Sequence, residues 1–138
     1  MGYVTPSYVA IPIMCGSSTP LASNSYYGGC LTNAMTSTAN IRRVYFPTTG
    51  SIIEVVMEWF CTVGSADATT VALRLNNATD FALSTTLDFS VSTQFLQKTG
   101  LNIQVTPSDY FEIKLTTPAW ASPPTTVYMG GYVLIRVG

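Results

Sequence analysis

The stretch SIIEVVMEWFCT at residues 51–62 alternates in character at every second residue. One set of positions is uniformly apolar: Ile53, Val55, Met57, Trp59 and Cys61. The intervening set is mixed, because it includes Glu54 and Glu58 among apolar residues. A period of two residues is that of a β-strand with one face on a core. We therefore predict a strand here, with Cys61 as a small buried apolar residue.

The next stretch, TTVALRLN at 69–76, repeats the alternation, with Val71, Leu73 and Leu75 on one face and Arg74 on the other. Residues 64–67, Gly-Ser-Ala-Asp, have the composition of a turn. Two alternating runs joined by such a turn predict an antiparallel hairpin. In that hairpin Arg74 would lie across from Glu54 or Glu58.

The remaining chain continues in short alternating runs, and no run has the period of a helix. Further strands are predicted at 8–14, 42–46, 81–89, 92–98, 101–105, 110–116 and 125–138. Eight to ten short strands without a helix indicate an all-β fold, an antiparallel β-sandwich or barrel. We predict a single domain over 1–138, in which 1–40 hold an N-terminal strand and a long Ser/Gly/Asn-rich loop.

The last strand, VYMGGYVLIRV at 127–137, is apolar on both of its faces. A strand of this kind has to be covered on both sides, and a two-layer sandwich covers only one. Tyr128, Tyr132 and Leu134 are therefore predicted to contact another subunit, with Gly130 and Gly131 allowing close approach at a symmetry axis.

The composition excludes several classes of function. Of 138 residues, 9% are charged, the net charge is −1, and histidine is absent. No basic cluster is available for a nucleic acid, and no apolar run is long enough to insert into a membrane. Without histidine, the common catalytic triads and nearly all common zinc sites are excluded. We predict no catalytic residues, no metal site and no cofactor, and we interpret Asp109 and Glu112 as a turn residue and an outward-facing strand residue.

The C-terminal third, SDYFEIKL at 108–115 followed by VYMGGYVLIRV at 127–137, resembles the end of trimeric jelly-roll domains of the complement and tumour-necrosis-factor type. Residues 50–81 and TTPAWASPPTTV at 116–127 resemble small jelly-roll domains of tailed-phage fibres and other virion appendages. The resemblance covers residues 41–138. It implies jelly-roll topology, a homotrimer, and a non-enzymatic structural or receptor-binding role in a virion, as a fibre domain, head decoration or appendage.

Three aromatic residues in predicted loops are candidates for ligand binding, namely Tyr26 and Tyr27 in SNSYYGG and Trp120 in TPAWASPP. An exposed aromatic ring offers a stacking platform for a sugar, so a host-surface glycan is a predicted partner, besides other virion proteins. The alternative is that each ring packs onto its own sandwich or between subunits. A monomeric, extracellular carbohydrate-binding or adhesin module is the alternative function. The three cysteines leave a Cys15–Cys30 bridge or free thiols open.

Overall fold

The computed structural model describes residues 5–17, 20–29, 34–62, 64 and 67–138. These residues contain nine β-strands and no helix. In chain order the strands are β1 (Tyr8–Ser17), β2 (Ser25–Gly28), β3 (Val44–Tyr45), β4 (Gly50–Cys61), β5 (Ala68–Leu75), β6 (Thr79–Asp88), β7 (Thr93–Val105), β8 (Tyr110–Thr116) and β9 (Val127–Val137). The predicted all-β class is confirmed.

The strands form two antiparallel sheets that pack as a sandwich. The first sheet has the order β1-β9-β4-β7, and the second has the order β2-β8-β5-β6, with β3 also paired to β8. The pairs are nested along the chain, because β5 pairs with β6, β4 with β7, β2 with β8, and β1 with β9. Successive pairs alternate between the sheets, as in one long hairpin rolled around a core. This nesting supports jelly-roll topology, which stays a prediction.

The innermost turn of this long hairpin lies between β5 and β6. Asn76 and Asn77 both have positive φ, at 53° and 55°, and the backbone N–H of Ala78 donates to the carbonyl of Leu75 at 3.0 Å. Two successive residues at positive φ form the hairpin turn whose twist matches that of the strands, and asparagine tolerates this conformation well. The sequence Asn76-Asn77 therefore suits the turn that joins β5 to β6.

The predicted hairpin between residues 51–62 and 69–76 is wrong. The first stretch forms β4 of the first sheet, and the second forms β5 of the second sheet. Arg74 accordingly pairs with Asp80 at 2.8 Å, and not with Glu54 or Glu58. Both strands have one apolar face, and this face packs on the core in either arrangement. Alternation therefore does not distinguish two strands of one sheet from two strands of facing sheets.

A bulge in β4 corrects the predicted inward face. Ile52 is fully buried and Ile53 only partly so, since the register shifts between Ile52 and Glu54. Beyond the bulge Val55, Met57, Trp59 and Cys61 are buried, as predicted. An extra residue in one strand reverses which side chains face inward on either side of it.

The two short strands predicted at 92–98 and 101–105 are one continuous strand, β7, in the structure.

The core lies between the sheets and is rich in aromatic rings. Trp59 and Phe89 have ring centroids 6.1 Å apart, and Phe46 and Phe111 have centroids 5.3 Å apart. The predicted inward face of β8, consisting of Phe111, Ile113 and Leu115, is fully buried. These contacts pack the two sheets against each other, so that the other face of each sheet lies on the outside.

Asp109 makes the stability of the sandwich depend on pH. The side-chain amide of Asn76 donates to one oxygen of this carboxylate at 2.9 Å, and the backbone N–H of Thr106 donates to the other at 2.8 Å. These bonds hold the pKa of Asp109 below its ordinary value of 3.8. The carboxylate therefore contributes stability above the pKa of the unfolded chain, and that contribution disappears as the pH falls through the lower folded-state pKa.

We expect Asp109→Asn to be less stable than the wild type at about pH 5 and to lose less stability on acidification. Urea unfolding at about pH 5 and about pH 2.5 measures both effects. Equal losses on acidification in the two proteins would contradict this role of Asp109.

Candidate functional site

The outer face of the second sheet satisfies its charges within the chain. Asp80 accepts hydrogen bonds from Arg74 at 2.8 Å and from Lys114 at 2.9 Å. Burial raises the pKa of Asp80, but these two cations outweigh that effect and lower its pKa overall. Ion pairs of this exposure contribute little stability each, about 0–1 kcal/mol. They leave this face polar and without an unpaired carboxylate at its centre.

Glu112 lies on the same outer face of β8, as predicted, but another segment of the chain covers it. Its side chain is 1% exposed, and its carboxylate oxygens accept the backbone N–H groups of Asn40 and Arg42 at 2.8 and 3.0 Å. Residues 40–42 thus cover this part of the sheet. Glu112 is an anchor for a connecting segment, while Asp109 closes its turn as predicted.

The outer face of the first sheet is largely apolar. Five large hydrophobic side chains on it are 50–68% exposed: Tyr8, Met14, Phe60, Phe95 and Tyr128. They alternate with inward neighbours such as Cys15, Trp59 and Met129. We call this surface the apolar face. Large exposed apolar patches are a common feature of interaction surfaces, so this face is a candidate for one.

A depression of about 480 Å³ lies at one end of the apolar face. Its lining consists of Met14, Cys15, Glu58, Phe60, Tyr128, Met129 and Gly130. Gly130 lies between Met14 of β1 and Glu58 of β4 in the sheet register, and the missing side chain leaves the space open. The rings of Phe60 and Tyr128 are stacked beside it, with centroids 6.5 Å apart and planes 22° apart. We call this depression the Gly130 pocket.

The chemistry of the Gly130 pocket is that of binding. Its walls are aromatic rings and a thioether, and Glu58 supplies a carboxylate that has no ion pair among the described residues. Burial raises the pKa of the Cys15 thiol to about 12, so this group stays protonated and a poor nucleophile near neutral pH. No group of three or more potential metal-ligating side chains occurs in the part of the chain that the structure describes. The pocket suits an apolar or aromatic group.

The three residues predicted to contact another subunit lie together on the apolar face. Tyr128, Tyr132 and Leu134 point outward from β9, with Tyr128 52% exposed and the other two partly buried. Their role in a trimer stays a prediction. Sequence reasoning missed Met14, Phe60 and Phe95 as exposed residues of this face. For Met14 a signal was present, because β1, like β9, is apolar in both of its alternating sets.

The adjacent glycines of β9 have different roles. A Cβ on Gly131 would collide with the carbonyl oxygen of Val56 and lie 2.9 Å from the Cα of Met57, whereas a Cβ on Gly130 would meet no atom within 4 Å. Gly131 therefore allows close approach of β9 to β4 of its own chain, which corrects the prediction of approach at a symmetry axis. Gly130 is not required by its own chain.

The predicted sugar platform is not exposed. Tyr26 and Tyr27 belong to β2, not to a loop, and each is 8% exposed, while Trp120 is 6% exposed. Tyr26 packs in the core, and its hydroxyl accepts the N–H of Leu21 at 2.7 Å. Trp120 lies against Phe89 with ring centroids 5.8 Å apart. The alternative, that these rings pack onto their own sandwich, is correct.

The cysteine predictions have separate outcomes. Cys61 is a free, buried thiol, as predicted for a small apolar residue. Cys15 is also free and buried, and Cys30 lies outside the described residues.

Comparisons with known proteins assign no family. No family model matches the chain, and no curated protein matches it. Among solved structures, it is similar to dimeric latent PorU from Porphyromonas gingivalis at 13% identity and a TM-score of 0.33, over 91% of this chain and 13% of that one. The chain thus spans a small part of that protein's length. No helix long and apolar enough to cross a membrane occurs among the described residues.

Proposed function

We propose that this chain is a non-enzymatic structural or adhesive module, a jelly-roll domain that forms a homotrimer through the apolar face of its first sheet. The observation that carries the proposal is the exposure of the five large hydrophobic side chains on that one face. Burial of apolar surface stabilises association by roughly 25 cal/mol per Å² before the costs of association are subtracted.

The distribution of charge supports self-association through the first sheet. The ion-paired side chains Arg74, Asp80 and Lys114 lie on the second sheet, so the apolar face is free of that network. A net charge of −1 gives little repulsion between copies. The nested strand pairing supports the jelly-roll topology on which the resemblance to virion appendage domains rests. We accordingly propose a place in a virion, as a fibre, head decoration or receptor-binding domain.

The alternative, an extracellular carbohydrate-binding or adhesin monomer, loses its predicted platform because Tyr26, Tyr27 and Trp120 are buried. The exposed, stacked Phe60–Tyr128 pair is another aromatic surface on which a sugar would stack. A glycan array with the wild-type protein and Tyr128→Ala distinguishes the two functions. A monomer that binds a glycan through Tyr128 would replace the structural proposal.

The central prediction of the proposal concerns mass in solution. Three chains of 14.9 kDa give about 45 kDa, and we expect this value from light scattering coupled to size exclusion. Tyr132→Lys and Tyr128→Lys should each reduce the mass to 14.9 kDa, because the interface would bury an unpaired ammonium group.

Leu21→Lys is the matched control, since this side chain is 61% exposed and lies outside the first sheet. It should leave the mass at that of the wild type. A wild-type mass of 14.9 kDa would contradict the proposal, and so would trimers of both tyrosine variants.

A further inference from the structure

Phe95 is the most exposed large hydrophobic side chain among the described residues, at 68%. It points outward from β7, which forms one edge of the first sheet. A free aromatic ring at a sheet edge gains nothing within its own chain, because most of its surface stays in water. It is available as a contact for another molecule.

The sheet register places Phe95 at the level of the Gly130 pocket. Phe95 pairs with Glu58, Glu58 with Gly130, and Gly130 with Met14, so these residues form one row across β7, β4, β9 and β1. Neighbouring strands lie about 4.8 Å apart, so the backbone of Phe95 is roughly 10 Å from that of Gly130. The face thus has a protruding ring towards one edge and a pocket towards the other, in the same row.

A closed ring of subunits uses heterologous contacts, in which two different patches of the same chain meet. Rotation about an axis parallel to the strands changes the position of a residue around the axis but preserves its level along the strands. In a trimer whose axis runs parallel to the strands of the first sheet, Phe95 of one copy lies at the level of the Gly130 pocket of the next copy. We propose that Phe95 of each subunit fills the Gly130 pocket of its neighbour, an inference that rests on the trimer proposed above.

The pocket fits an aromatic side chain in size and chemistry. Its volume of about 480 Å³ exceeds what a phenyl ring occupies, and its lining includes the Met14 thioether and the rings of Phe60 and Tyr128. Sulfur and aromatic edges both make favourable contacts with an inserted ring. The absence of a side chain at Gly130, which the fold itself does not require, gives the ring its space.

Two variants test the contact from its two sides. Phe95→Ala removes the ring, and Gly130→Leu fills the pocket. Both should leave the fold intact, because Phe95 is exposed and a Cβ at residue 130 meets nothing within 4 Å. We expect each variant alone to have a mass of 14.9 kDa, down from about 45 kDa in the wild type, with an unchanged circular dichroism spectrum. Val91→Ala, at an exposed position outside the first sheet, is the control that should remain trimeric.

A mixture of the two variants gives the sharper result. The Phe95→Ala chain retains the pocket, and the Gly130→Leu chain retains the ring, so one complete contact forms between them. We expect a 1:1 heterodimer of about 30 kDa, twice the 14.9 kDa of one chain. If Phe95→Ala and Gly130→Leu each form trimers while Tyr132→Lys is monomeric, the contact between Phe95 and the Gly130 pocket is wrong and the proposed trimer stands. A monomeric or dimeric wild type would overturn the cyclic contact and the proposed trimer together.

Discussion

Replacing Gly131 with alanine is expected to lower the free energy of unfolding by about 3 kcal/mol, at the upper end of what overpacking costs. The added methyl group would collide with the Val56 carbonyl oxygen and would lie 2.9 Å from the Cα of Met57. Both atoms belong to the backbone of β4, at the centre of the first sheet, so no side-chain rotation relieves the clash. The two strands have to separate locally, which weakens their hydrogen bonds.

Gly130→Ala is the matched control for this change, since it alters the adjacent residue in the same strand. A methyl group there meets no atom within 4 Å, so the free energy of unfolding should stay within about 0.5 kcal/mol of the wild type. Urea unfolding of monomeric protein, in the Tyr132→Lys background, separates this effect from association. Equal stability of the two alanine variants would show that β9 and β4 are not held at the close spacing described.

Replacing Glu112 with alanine is expected to cost about 3 kcal/mol, because hydrogen bonds to a charged group contribute about 1.5–3 kcal/mol each and the two donors are left without an acceptor. The carboxylate accepts the N–H groups of Asn40 and Arg42 at 2.8 and 3.0 Å, and the side chain is 1% exposed. Loss of the carboxylate releases residues 40–42 from β8. The amide hydrogens of Asn40 and Arg42 should exchange faster, which hydrogen-exchange NMR measures at each residue.

Two further variants give this prediction its controls. Glu112→Gln retains one oxygen acceptor and should lie between the wild type and the alanine variant. Glu58→Ala removes an exposed carboxylate and should change the free energy of unfolding by no more than about 0.5 kcal/mol. If Glu112→Ala were as stable as Glu58→Ala, the carboxylate of Glu112 would not anchor the segment.

The burial of Glu112 also shows where strand alternation fails as a predictor. Alternation places Glu112 on the outer face of β8, and this placement is correct, since its neighbours Phe111 and Ile113 are buried in the core. The segment at 40–42 then covers that face. A local pattern assigns a side of the sheet, but it contains no information on which distant segment covers that side.

The aromatic residues also show that a local sequence pattern does not determine which side chains are exposed. Composition and loop position favoured Tyr26, Tyr27 and Trp120 as the exposed rings, yet the structure buries them and exposes Phe60, Phe95 and Tyr128. Phe60, Phe95 and Tyr128 lie within strands of the first sheet, on the side that faces away from the core. Their exposure is a property of a sheet that has no second cover within the chain.

The sequence by itself determined the all-β class, most strand positions, the inward faces of β5 and β8, and the apolar character of β9 on both sides. Each follows from a period of two residues, which is a local property of the chain. Only the tertiary structure decided that β4 and β5 lie in different sheets, that a bulge at Ile53 shifts the inward face, and that Phe95 shares a row with Gly130. The physical reason is that both sheets offer the same apolar surface to any alternating strand, so strand partners and register are selected by packing of the whole sandwich.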